Sequence, residues 1–468
     1  MRYLHETLKL IKSGELSPEE HLEDIISGLD KDKEINSFIT LDLDGARERV
    51  KNINPSGELY GAVVGLKDNI NYKGLKTTCA SKMLENFESV YNADCAENIE
   101  SEGGVVIGKL NMDEFAMGSS NETSYFGPVK NPIDHTLVPG GSSGGSAAAT
   151  KMGFVDVAVG TDTGGSIRQP GSFCSVVGFK PTYGLVSRYG VTSLANTFDS
   201  VGSFGRCVED AYILLRAMAK DTPNDMTKIS ADMPEMKTSI EEDINDLKGK
   251  KIAILSHLKD FDLAPEVKES YDKSLKILEK AGVEIVEAEF EHLDYAVATY
   301  YAIIDSEASS NLSRFDGIRY AGIKSDVKNF SDYMKEVRTA GFSDEVKRRI
   351  LLGMYIMSSD LRETYYDRAL IIREKIAEDY DRIFKNADAI LTPTATTLPF
   401  KLGSQVKNPR QMMEGDLLTV AINLAGIPGI NVPSTSENVI NAGMQFLGKK
   451  KSDYNLARIA RAYEGLVK

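Results

Sequence analysis

Residues 140–170 read Gly140-Gly141-Ser142-Ser143-Gly144-Gly145-Ser146, then Ala147-Ala148-Ala149, an apolar run from Val155 to Gly160, and Thr161-Asp162-Thr163-Gly164-Gly165-Ser166-Ile167-Arg168-Gln169-Pro170. Two glycine-rich turns, each carrying serines, bracket a short helix and an apolar strand. Glycine lets a backbone turn tightly and brings its amides close to a substrate. A serine on such a turn stands beside N–H groups that can hold an oxyanion. A serine nucleophile also needs a base.

Working outward, the same alternation of helix and strand continues. Upstream, Gly61–Leu66 reads as an apolar strand that ends at Lys67-Asp68-Asn69, and Ala93–Ser101 with Val105–Gly108 makes one helix–strand step. Before it, residues 3–12 read as a helix, and Ser17-Pro18-Glu19-Glu20 is a capping box that opens a second. Ser37–Leu41 is a strand, followed by a charged helix near Asp44–Val50. Downstream, a loop after Gly190 leads to a helix near Val208–Lys220, and residues 221–248 are polar and looped or loosely helical. Lys251–Leu255, Pro265–Ala281 and Val283–Ala288 form a βαβ unit. Tyr295–Phe384 is almost wholly helical. Ala389–Thr392, Gly429–Val432 and Ala442–Leu447 are short strands, and Asp453–Leu466 is a final helix. No linker or repeat interrupts the pattern, so residues 1–468 read as one large α/β domain. Its helical N-terminal segment spans about 1–60, and a helical insertion spans about 295–384.

The composition narrows the function. A chain of 468 residues can bury a large core. Its net charge of -14 excludes a protein that clamps nucleic acid over a broad basic face of its own. The cysteines, Cys79, Cys95, Cys174 and Cys207, form no CxxC pair and no metal-ligand spacing. The N-terminus lacks an apolar signal core, and no run of about 18 apolar residues can cross a bilayer. A reduced, cytoplasmic protein is expected.

A Ser-His-Asp arrangement could be assembled in space, but the sequence gives no histidine candidate for the base. His5, His21, His257 and His292 lie far from the serine turns in sequence, and His135 sits in a polar loop. Lysine can serve if burial makes it neutral. Lys67 ends an apolar strand, where partial burial would do this; a solvated lysine at a strand end is the other reading. The glycines fit neither a phosphate loop, since Gly144-Gly145-Ser146 has no lysine, nor the G-x-G-x-x-G dinucleotide fingerprint.

The two serine turns, with Gly65-Leu66-Lys67-Asp68-Asn69 upstream, resemble the amidase signature family. The spacings agree: Ser142 follows Lys67 by 75 residues, and Ser166 follows Ser142 by 24. The resemblance implies a single domain with a central mixed β-sheet covered by helices. It implies a triad in which Ser166 is the nucleophile, Ser142 relays the proton after a cis peptide bond, and Lys67 is the base. Backbone amides of Thr163, Gly164, Gly165 and Ser166 would form the oxyanion hole. Ser143 and Asp162 would support the loops.

The resemblance narrows in three further runs: Ser306–Tyr320, Glu345–Gly353 and Gly415-Asp416-Leu417-Leu418-Thr419. These are similar to the A subunits of glutamyl-tRNA(Gln) amidotransferases. By that match Arg349 would clamp the α-carboxylate of glutamine, Asp416 would take its α-ammonium, and Tyr300 would line the pocket, with Tyr301 one residue away. The implied activity is glutamine hydrolysis through a Ser-Ser-Lys triad. The ammonia would pass to a partner that converts Glu-tRNA(Gln), or Asp-tRNA(Asn), to the amidated form. The implied partners are a B subunit and a small C subunit, with tRNA bound through the complex. No cofactor or metal is implied for this chain, and ATP with Mg²⁺ is expected on the partner. Two alternatives are a stand-alone amidase for small or hydrophobic amides, and an inactive scaffold subunit. Intact Lys67, Ser142 and Ser166 speak against the scaffold.

Overall fold

The apolar runs that end at Lys67 and at Asp162 become neighbouring parallel strands, and the sheet grows outward from them. The computed structural model describes residues 2–468 apart from 238, 321, 324, 405–414, 436 and 437. In chain order its strands are Phe38–Leu41 (β1), Val63–Lys67 (β2), Val105–Leu110 (β3), Val157–Asp162 (β4), Val177–Lys180 (β5), Ser200–Gly205 (β6), Lys251–Leu255 (β7), Glu284–Ala288 (β8), Ala389–Pro393 (β9), Gly429–Pro433 (β10) and Gly443–Leu447 (β11). They form one mixed sheet of order β1-β3-β2-β4-β6-β5-β10-β11-β9-β7-β8. β2 pairs in parallel with β3 and β4, and β7 pairs in parallel with β8 and β9. The strands between β4 and β9 run antiparallel to their neighbours.

Helices cover both faces, as an α/β sheet with buried strands requires. One core packs Val64, Leu66, Val159 and Val177 against helices Asp94–Ser101, Val208–Met218 and Asp453–Val467. Another unites Ala296–Asn311, Asp344–Ile356 and Arg368–Ile383 over the β7–β9 end. The capping box is present: Glu20 N–H donates to Ser17 Oγ at 3.1 Å, and Ser17 N–H donates to Glu20 Oε2 at 2.9 Å. The N-terminal helices join the sheet through β1, antiparallel to β3.

Three elements depart from the sequence reading. Ser200–Gly205, which reads as part of a loop, is a central strand. A Cβ at Gly202 would meet Phe179 O at 2.2 Å, so small residues serve close strand approach where propensity argues for a loop. Val177–Lys180 is a second strand with no counterpart in the sequence reading, and Arg168–Phe173 is a short helix where the sequence suggests only a turn. In the helical insertion, the described residues between Phe315 and Asn329 carry no helix. The described residues of 221–248 hold one short helix, Ile240–Asn245.

Candidate active site

The site lies beyond the carboxyl ends of β2 and β4, where ligands sit in open α/β sheets. The parallel register sets Leu66 beside Val159, so the next residue, Lys67, reaches the end of β4. Lys67 is fully buried. Its Nζ lies within hydrogen-bond reach of Ser142 Oγ at 2.7 Å, Ser143 Oγ at 2.7 Å, Thr161 Oγ1 at 3.0 Å and Thr161 O at 3.3 Å. Burial pushes its pKa down to about 7, against the opposing pull of Asp113, Asp162 and Asp199.

Hydrogen bonding separates the two serines. Ser143 spends its own proton on Thr161 O at 3.2 Å, so it accepts from the lysine. A neutral amine has two N–H donors and one lone pair. Of the remaining hydroxyls that can turn a proton toward that lone pair, Ser142 Oγ is the nearer at 2.7 Å and Thr161 Oγ1 lies at 3.0 Å. The Gly141–Ser142 peptide is cis. Gln169 braces this turn, accepting from Gly141 N–H at 2.9 Å and donating to Ser119 O at 2.9 Å. Asp113 N–H donates to Ser142 O at 3.1 Å, and Ser143 N–H donates to Ser166 O at 3.2 Å, which ties the two serine turns together.

The turn that carries Ser166 is held from below by a charge. Asp162 Oδ1 accepts from Gly165 N–H at 2.8 Å, and its Oδ2 accepts from Ile167 N–H at 3.1 Å. The Gly165 amide expected in an oxyanion hole is therefore already committed to Asp162. Arg168 grips the same carboxylate with Nε at 3.1 Å and Nη2 at 3.0 Å. Burial alone would raise the Asp162 pKa, but Arg168, with Lys180 and Asn423, holds it well below the usual range. Arg168 also donates to Thr419 O and Asn423 Oδ1, and Thr419 Oγ1 donates to Gly164 O at 2.6 Å. Gly165 has φ +132°, and a Cβ there would meet Thr419 Oγ1 at 2.5 Å, so only glycine fits. Thr163 Oγ1 donates to Asp199 Oδ1 at 2.7 Å.

A small cavity of about 20 Å³ opens over Ser166, lined by Gly141, Gly164, Tyr300, Arg349 and Asp416 among others. Tyr300 faces it, since a Cβ on Gly164 would meet the Tyr300 hydroxyl at 2.3 Å. Its neighbour Tyr301 donates its hydroxyl to Asp416 Oδ2 at 2.7 Å and lies 5.3 Å from the Arg349 guanidinium, ring centroid to Cζ. Arg349 Nε donates to Glu345 Oε1 at 2.7 Å. Burial pushes Asp416 up to about 6. The structure thus brings together Lys67, Ser142, Ser166, Gly164, Gly165, Tyr300, Arg349 and Asp416.

Several residues at the site have no role in the sequence reading. Arg168 and Gln169 stand in the quoted run, but nothing there shows where their side chains go. Thr419 closes the quoted run 415–419 without a role there, Asp113 and Asn423 carry no local signal, and the fold recruits all three. Histidine takes no part: His5 bonds Asp210, His21 bonds Asp156 and His292 bonds Asp379. Among the described residues two groups could ligate a cation, His5–Cys207–Asp210 and Glu291–His292–Asp379, and neither contains a residue of the cavity.

Known proteins share this arrangement of chain. The Amidase family matches residues 20–457. The A subunit of glutamyl-tRNA(Gln) amidotransferase from Macrococcus caseolyticus (strain JCSC5402) is 44% identical over 460 residues, covering 97% of this chain and 95% of that protein. Its counterpart in Staphylococcus aureus (strain Newman) is 43% identical over 465 residues, covering 98% and 95%. The crystal structure of the glutamyl-tRNA(Gln) amidotransferase A subunit from Thermotoga maritima superposes with a TM-score of 0.82 at 38% identity, covering 98% and 94%. Among the described residues, no helix is long and apolar enough to cross a membrane.

Proposed function

The chain belongs to the amidase family, and from that premise we propose that it hydrolyses glutamine and supplies ammonia within a tRNA-dependent amidotransferase. The observation that carries this reading is one cavity lined together by Ser166, Arg349 and Asp416. An attacking hydroxyl and two opposite charges suit the amide and the α-groups of a free amino acid. A planar guanidinium binds a carboxylate in a bidentate fork, and Asp416 offers the ammonium its counter-charge.

In the proposed reaction, Ser166 Oγ attacks the side-chain carbonyl carbon of glutamine. The Ser166 proton passes to Ser142, and the Ser142 proton passes to neutral Lys67. The carbonyl oxygen takes the negative charge and is held by the amides of Thr163, Gly164 and Ser166, since Gly165 gives its amide to Asp162. The C–N bond then breaks, and the proton returns from Lys67 through Ser142 to the leaving nitrogen, which departs as ammonia. Water enters by the same relay, cleaves the γ-glutamyl ester and leaves glutamate and free Ser166.

Ammonia release is useful to a partner that consumes it. The relatives are subunits by name, which supports a larger assembly. In our reading a B subunit binds Glu-tRNA(Gln) or Asp-tRNA(Asn) and activates it with ATP and Mg²⁺. A C subunit joins the two, and the assembly works in the cytoplasm. The test is steady-state glutaminase activity of the chain alone and with the partner, its tRNA and ATP. Slow hydrolysis alone and a clear rise in the assembly are expected. Equal rates, with no stable complex on gel filtration, would replace this reading with a stand-alone amidase.

A further inference from the structure

Asp305 is an unusual residue in this fold. It lies in the helix Ala296–Asn311, is fully buried, and neither carboxylate oxygen accepts a hydrogen bond among the described residues. Buried carboxylates are normally paired and hydrogen-bonded. The cation nearest to it is Arg349, whose Nη1 stands 3.8 Å from Asp305 Oδ1, outside hydrogen-bond range. The approach is built into the packing. A Cβ on Gly353, one turn after Arg349, would meet Asp305 O at 2.0 Å, so the two helices touch where glycine permits it.

Arg349 is therefore held between two acids. Glu345 takes its Nε at 2.7 Å and also binds Arg348 through two bonds of 2.8 Å. Arg349 also lines the cavity, whereas Asp305 is not among its lining residues. The charged groups that act on Asp305 all come from Asp344–Ile356, namely Arg349, Arg348 and Glu345. The helix Val420–Ala425 brings no titratable side chain. From Arg368–Ile383, Arg373 is turned to the carbonyls of Leu424 and Thr197. On its own helix, Tyr300 and Tyr301 are neutral, because burial raises both phenols well above their ordinary value. A substrate carboxylate docked on Arg349 would be the third anion around one guanidinium.

We propose that Asp305 is a positioning residue that couples glutamine binding to a proton. It is ionised in the empty pocket, where it steadies Arg349, and it takes one proton from solvent when the substrate carboxylate arrives. This rests on the reading of Arg349 as the α-carboxylate clamp. The burial that leaves Asp305 without hydrogen bonds also pushes its pKa up to about 6, so the proton is within reach near neutral pH. No other bond forms or breaks, and Asp305 stays outside the reacting atoms.

The test measures binding without turnover, in the full chain carrying Ser166→Ala. L-glutamine is titrated calorimetrically at about pH 7.5 in two buffers of different ionisation enthalpy. Uptake of about one proton per glutamine is expected, with Kd weakening about tenfold from pH 7 to pH 8. Asp416 is already ionised in that range. Adding Asp305→Asn should abolish the uptake, remove the slope and tighten binding at pH 8 by about tenfold or more. The double variant shares Lys67 and Asp416, so the difference belongs to residue 305. Absence of proton uptake in the Ser166→Ala chain overturns the proposal, even if the Asn variant does not fold. The same slope with Asn at 305 overturns it as well. Unchanged glutamine binding by Arg349→Ala would instead overturn the clamp itself, and this proposal with it.

Discussion

Lys67 should set the acid limb of turnover, and the structure gives its position. The side chain is fully buried, with its Nζ within hydrogen-bond reach of two serine hydroxyls and both oxygens of Thr161. Burial pushes its pKa down to about 7. The base must be neutral, so the active fraction falls as pH drops below that value. With a pKa of about 7, some nine-tenths of the lysine is neutral at pH 8 and about one-tenth at pH 6. kcat should therefore fall about tenfold over those two units. The assay is glutamate release at saturating glutamine, so that proton-linked binding does not enter. The limb can also be moved. Asp113 is the acid that most strongly raises the Lys67 pKa, so Asp113→Asn should shift the limb to lower pH. The stability sign is separate. Because the folded pKa lies below the unfolded value near 10.4, the folded state binds fewer protons, and stability should rise with pH between about 7 and 10. A kcat unchanged from pH 8 to pH 6, or near-normal turnover by Lys67→Met, would refute the assignment of the base.

Further outcomes follow from the same geometry. Ser166→Ala should abolish glutaminase activity, and a glutamine-analogue electrophile should label the Ser166 peptide in mass spectrometry; Cys174 should stay unlabelled, because burial raises its thiol far above the reactive range. Arg349→Ala and Asp416→Ala should each lower kcat/KM for glutamine by about two to three orders of magnitude, since an uncompensated charge in a desolvated site costs several kcal/mol; wild-type kinetics in both would favour an amidase for uncharged amides. Gly165→Ala places a Cβ at φ +132° against Thr419, and should cost at least tenfold in kcat with little change in KM; normal kcat would show that the turn tolerates the shift.

Much of this molecule is legible in one dimension. The helix of Pro18–Gly28 announces itself through Ser17 and Glu20, because capping is local and needs only four residues. β2 and β4 declare themselves as apolar runs, because a strand buried on both faces has no polar side to show. Lys67, Ser142 and Ser166 stand on three motifs that resemble the amidase signature in order and spacing, and it is that resemblance that lets them be proposed as a triad from the chain alone. The fold decides what depends on who arrives from elsewhere. Ser200–Gly205 is a strand because β4 and β5 pair with it from either side, although serine and glycine make up most of its own residues. From the chain alone Lys67 could be a solvated strand end or a buried lysine, and only its complete burial in the tertiary structure removes the solvated reading. The Gly165 amide is drawn away by Asp162, itself held by Arg168. Asp305 becomes a charge beside Arg349 only because Gly353 lets two helices touch. Local hydrogen bonds and periodicity are written along the chain, whereas burial and long-range charge pairing come into being only when distant segments meet.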